Sequence, residues 1–133
     1  MPLFGRKRSD VGPAGSAAQP PDEFGEQARL AYGSQQFSEA LELYARAIDK
    51  LHTMYVMGGC QYRQPSQADE YIVTGFVSAL GAAKAISPSA DFAGQAEPPI
   101  GYLSQIADAA SQRGLDPSIY SRAANDASSE LRR

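Results

Sequence analysis

The chain has 133 residues, 43% hydrophobic and 20% charged, enough for one domain with a sizeable core. Its net charge of −3 is unevenly spread: residues 1–21 hold Arg6, Lys7 and Arg8 against Asp10, whereas residues 22–133 hold 9 basic and 14 acidic side chains. An acidic body is a poor wrapper of nucleic acid, which needs clustered Lys and Arg, and the single cysteine, Cys60, excludes an intrachain disulfide and fits a reducing cytoplasm.

Residues 1–21 read as a disordered basic N-terminal arm. Gly12-Pro13-Ala14-Gly15-Ser16 and Pro20-Pro21 oppose both helix and strand, and the arm has too little apolar mass to offset the cost of ordering. Leu3-Phe4-Gly5-Arg6-Lys7-Arg8 sets two apolar residues beside three basic ones. A weak peripheral contact with an anionic surface is the most such a motif supports, at about 1 kcal/mol per charge. No apolar run follows the basic triplet, so it does not read as a secretory signal.

Residues 22–133 read as an all-α domain of five helices. The first is expected from about Asp22 to Gly33, opened by Asp22, Glu23 and Glu26, whose carboxylates oppose the positive end of the helix dipole. Its buried face is Phe24, Ala28, Ala31 and Tyr32, and Gly33-Ser34-Gln35-Gln36 makes the turn. The second runs from Phe37 or Ser38, with Ser38 as its cap, to about Met57, where Gly58-Gly59 stops it. It carries a stripe of alternating large and small residues: Phe37, Ala40, Tyr44, Ala47 and Ile48.

The third helix is expected over about Gln67 to Ile86, with Ser66 and Asp69 spaced like a capping box. It is apolar on nearly every face, as central helices are. Gly75 and Gly81 each cost about 1 kcal/mol in helix propensity, which predicts a packing reason for both. At about 16 residues, Tyr71 to Ile86 is too short to span a membrane. Residues 87–99 read as a linker whose Phe92 tucks back onto the core. The fourth helix is expected from Ile100 to Arg113 with Gly114 as its stop, and the fifth opens at Asp116-Pro117.

Chemistry is hard to find in this pattern. His52 is the only histidine, and neither it nor Cys60 sits in a nucleophile or metal signature, so no catalytic, cofactor or metal site is expected. Gly58-Gly59-Cys60 lacks the Lys-Ser or Lys-Thr of a phosphate loop. Acid pairs such as Asp22-Glu23 and Asp69-Glu70 stand at helix starts, where the dipole accounts for them.

The span from about Pro21 to Leu51 resembles a tetratricopeptide repeat, two antiparallel helices with small and aromatic residues at fixed offsets. Phe24 and Ala28 match the first helix, Phe37 the turn, and Ala40, Tyr44 and Ala47 the small–aromatic–small series of the second. Gln27 and Ala31 depart from the pattern, the closing Pro is missing, and the later helices do not repeat it. The runner-up is the microtubule-interacting and transport domain, a three-helix bundle whose second helix carries a string similar to Glu39 to Tyr44.

The first resemblance implies a five-helix antiparallel stack of helical hairpins acting as a non-catalytic, cytoplasmic adaptor for a protein or peptide. The alternative is a self-associating assembly component. It further implies that a partner lies along the exposed face of the first helix, at Asp22, Gly25, Arg29, Tyr32 and Gly33. Arg29 would pair with a carboxylate and Tyr32 would stack or donate. A second candidate surface is Met54, Tyr55, Met57 and Tyr62, adaptable contact residues that equally suit a cover for the third helix.

Overall fold

A computed structural model describes residues 21–58, 65 and 67–133. Residues 1–20 of the expected arm, Cys60, Tyr62 and Ser66 lie outside the described residues, while Pro21, placed at the end of the arm from sequence, is the buried first residue of a helix. Those described form an all-α fold of five helices: α1 (Pro21–Gly33), α2 (Phe37–His52), α3 (Glu70–Ile86), α4 (Ala93–Gln112) and α5 (Ser118–Arg132). A π-helical turn, Thr53–Met57, extends α2, and a 3-10 turn, Gln67–Asp69, precedes α3.

Two hairpins close in the same way. After α1, the Gln36 N–H returns to the Ala31 carbonyl and the Gln35 N–H to that of Tyr32, with Gln35 in the left-handed region at φ 64°. After α4, the Leu115 N–H returns to Ala110 and the Gly114 N–H to Ser111, with Gly114 at φ 75°. Both satisfy helix-end carbonyls that otherwise have no partner. α1 ends at Gly33, as expected, and the left-handed position of the turn falls on Gln35.

Four helices close a ring in which α2 packs on α3, α3 on α5, α5 on α4, and α4 on α2. The α2 end meets the α3 start through Tyr55 and Asp69, while the α2 start lies beside Ala83 and Ile86, so these two are antiparallel. α3 and α5 run parallel, joined at one end by Asp69 and Tyr120 and at the other by Lys84 and Leu131. α2 and α4 are parallel too, with Arg46 near Pro98 and His52 stacked on Tyr102 at 4.3 Å. α3 and α4, consecutive in sequence, therefore lie diagonally across the ring and do not form a hairpin. α1 packs outside the ring, on α2 and the edge of α3.

The alternating stripe of α2 explains its central place. Ala40, Leu41, Ala47, Ile48 and Leu51 are wholly buried, and Tyr44 nearly so. The small residues let α1 approach through Ala28 and Phe24, both buried. The residues that carry the tetratricopeptide resemblance are thus all buried except Phe37, which packs half-buried at the core's edge. α3 adds Val73, Phe76, Ala79 and Leu80, all inaccessible to solvent, but its two ends expose Tyr71 and Ile86.

Four expectations need correction. α4 begins at Ala93, so residues 93–99 are helix and not linker. Pro98 and Pro99 cannot donate to Gly94 and Gln95, but both those residues are exposed and water can serve their carbonyls. Phe92 and Ala96 are buried in the core, which holds this extra turn down. Ser38 is not a cap: α2 starts at Phe37, with Gln36 before it and no side-chain cap bond. The regular α-helix of α2 ends at His52 and its last turn widens. Tyr32, assigned to the buried face of α1, is exposed and sets its ring against Phe37 at 5.0 Å, edge to face.

The fifth helix is tied down at both ends. Asp116 Oδ1 accepts the Ser118 N–H at 2.9 Å, and this bond holds the carboxyl below its usual range. At the other end, the Lys84 ammonium of α3 donates to the carbonyls of Glu130 (2.6 Å) and Leu131 (2.9 Å), a cation on the negative end of the dipole. Lys84→Met keeps the aliphatic length and removes the charge. It is expected to cost about 1 kcal/mol, a fall in melting temperature of a few degrees by calorimetry.

Candidate functional site

An open groove of about 470 Å³ lies between α1 and the start of α3. α1 supplies Asp22, Gly25, Glu26 and Arg29, three to four residues apart and so on one helix face. Tyr44 of α2 and Ile72 of α3, both buried, floor the groove. Ala68 and Tyr71 form the opposite wall, and Tyr71 is 83% exposed. The backbone of α1 comes close to α3 at Gly25, where a Cβ would lie 3.0 Å from Ile72 Cγ1.

One rim of the groove carries charge. Arg29 donates to both carboxylate oxygens of Glu26, with Nε to Oε1 at 3.2 Å. The hydrogen bonds and the charge together lower the Glu26 pKa and raise that of Arg29. Both side chains are exposed, so the pair adds little to stability. It is a preassembled donor–acceptor unit that an incoming group can re-pair. Burial raises the pKa of the Tyr44 phenol, which keeps it a neutral hydroxyl near pH 7.

The structure brings Asp22, Gly25 and Arg29 to one groove, as the expected α1 face requires. Tyr32 lies elsewhere, at the α1–α2 turn beside Phe37. Met54 is half-buried against the core, and Tyr62 lies outside the described residues. The groove's other wall was not anticipated. Tyr71 sits in a helix apolar on nearly every face, so nothing in the local pattern marks it as exposed.

A second polar cluster is wholly buried. Asp69 Oδ2 accepts the Tyr55 hydroxyl at 2.5 Å and the Tyr120 hydroxyl at 2.7 Å, and the two rings meet edge to face at 6.3 Å. The cluster joins the wide turn after α2 to the starts of α3 and α5. Asp69, read from sequence as a helix-start acid, is thus an interior acceptor. Being closed to solvent, it fixes the bundle end and offers no access to a substrate. His52 sits apart between α2 and α4, its Nε2 against Gln105 Oε1 at 2.6 Å.

Among the described residues, no group of three or more His, Cys, Asp or Glu side chains is placed to hold a metal ion. No described helix is long and apolar enough to cross a membrane. No protein-family model, curated protein or solved structure matches the chain.

Proposed function

We propose that the protein is a non-catalytic interaction module that binds a short helix or extended peptide of a partner protein in the α1–α3 groove. The observation that carries this reading is Tyr71, a large aromatic held almost fully in solvent at the edge of an apolar floor. Exposed aromatics beside a concave apolar surface are typical anchors, and Tyr and Arg are enriched among the residues that dominate binding energy. The Glu26–Arg29 pair would orient the partner by exchanging its internal bonds for bonds to the partner's charges. The α1–α2 hairpin is read as tetratricopeptide-like from its buried Phe24, Ala28, Ala40, Tyr44 and Ala47. A cytoplasmic setting goes with this reading and rests on the lone cysteine.

The test is a pull-down from native lysate with the full chain against Tyr71→Glu. The variant changes an exposed side chain, so its melting temperature should stay within a degree or two of the parent. The expected result is a partner retained by the parent and lost with the variant. Equal retention by both would remove the groove from the account. Self-association remains the second reading, favoured by exposed Leu30, Met57 and Ile86. A tight homodimer in sedimentation equilibrium would support it.

A further inference from the structure

We propose that the chain carries its own occupant for the α1–α3 groove: the segment Leu3 to Arg8, which competes in cis with any partner. Three observations lead there. The first is chemical fit. Leu3 and Phe4 are two adjacent large apolar side chains directly before the basic triplet, and the groove offers an apolar floor of Tyr44 and Ile72. The second is charge. Arg6, Lys7 and Arg8 are joined to a body with 9 basic and 14 acidic side chains, and the groove lining itself holds Asp22 and Glu26 against Arg29. An acidic body attracts this segment and repels the anionic membranes or nucleic acids that would otherwise draw it away.

The third is reach. The segment joins the fold at Pro21, and the next residue, Asp22, already lines the groove. Phe4 stands seventeen positions before Pro21, a contour of up to about 55 Å. The groove face of α1 from Asp22 to Arg29 is only about 10 Å long. A tether of this length gives an effective concentration in the millimolar range, so even a weak contact is populated. The inference concerns the same groove as the proposed function but does not need a partner to exist.

The test uses the full chain. A nitroxide is attached at Gly5→Cys in a Cys60→Ser background, and paramagnetic broadening of backbone amide signals is read in dilute solution. The expected result is strong broadening at Gly25, Arg29, Tyr71 and Ile72, reduced at least twofold by Leu3→Ser/Phe4→Ser and by Tyr71→Glu, and weakened by 0.5 M salt. Broadening unchanged by those substitutions would come from tethering alone and would overturn the proposal. So would broadening centred on another face. Mixing spin-labelled chain with isotope-labelled, nitroxide-free chain must leave the groove signals sharp; broadening there would assign the contact to a second copy and overturn the cis reading.

Discussion

Asp69→Ala is expected to destabilise the fold by about 3 kcal/mol, a drop in melting temperature of roughly 10 °C. The carboxylate is wholly buried and accepts hydroxyls from Tyr55 and Tyr120. A buried hydrogen bond contributes about 1 kcal/mol, and the truncation also takes away the acceptor that two buried hydroxyls share. Asp69→Asn keeps an acceptor at the same place and should recover about half the loss. Tyr55→Phe and Tyr120→Phe remove donors to one shared oxygen, so their effects should not add in a double-mutant cycle. Urea denaturation of these four single variants and of the Tyr55→Phe/Tyr120→Phe double variant measures this. A loss below 1 kcal/mol for Asp69→Ala would mean that the cluster does not hold the ends of α2, α3 and α5 together.

The second large effect runs against helix propensity. Gly75 lies inside α3, where alanine normally gains about 1 kcal/mol. Here a Cβ would overlap the Tyr44 ring, which lies across the Gly75 backbone in the α2–α3 interface. Gly75→Ala is therefore expected to destabilise by about 1–3 kcal/mol, the usual cost of overpacking. Gly81 is the control in the same helix. Its Cβ would come no closer than 3.2 Å to the Glu130 carboxylate, the movable end of a side chain near the chain terminus, so Gly81→Ala should be neutral or stabilising. Tyr44→Leu removes the ring atoms in the way and should abolish the penalty at position 75. Equal gains from both glycine substitutions would refute the close seat of Tyr44.

The five helices were legible because each has a local cause. The stripe of α2, Asp116 before α5 and Gly114 after α4 act within a few residues of themselves, and the structure places them as expected. The seat of Gly75 was half legible: a glycine in an apolar helix predicts a close neighbour, but only the fold names Tyr44. The start of α4 was not legible, because Pro98-Pro99 argues locally for a break, whereas Phe92 and Ala96 hold the helix onto a core assembled from distant parts of the chain. Asp69 stands at a helix start as expected, but its interior role was not legible for a similar reason. An acid at a helix start has a sufficient local explanation, and its tyrosine partners lie 14 and 51 residues away.

The candidate groove divides in the same way. Its α1 wall follows from helical spacing, so Asp22, Gly25 and Arg29 could be assigned together. Its α3 wall depends on α1 packing outside the four-helix ring and leaving the first turn of α3 uncovered. No periodicity within α3 carries that information, because a helix apolar on nearly every face does not single out Tyr71 as the exposed residue.

The most direct test of the groove as a partner site is in-cell photo-crosslinking, with a benzophenone amino acid at Tyr71 and, as the control, at Gln112 on the far end of α4. A discrete heavier adduct is expected from position 71 alone, lost when Arg29 and Glu26 are exchanged for each other's charge. No adduct at position 71, or the same adduct from both positions, would contradict it.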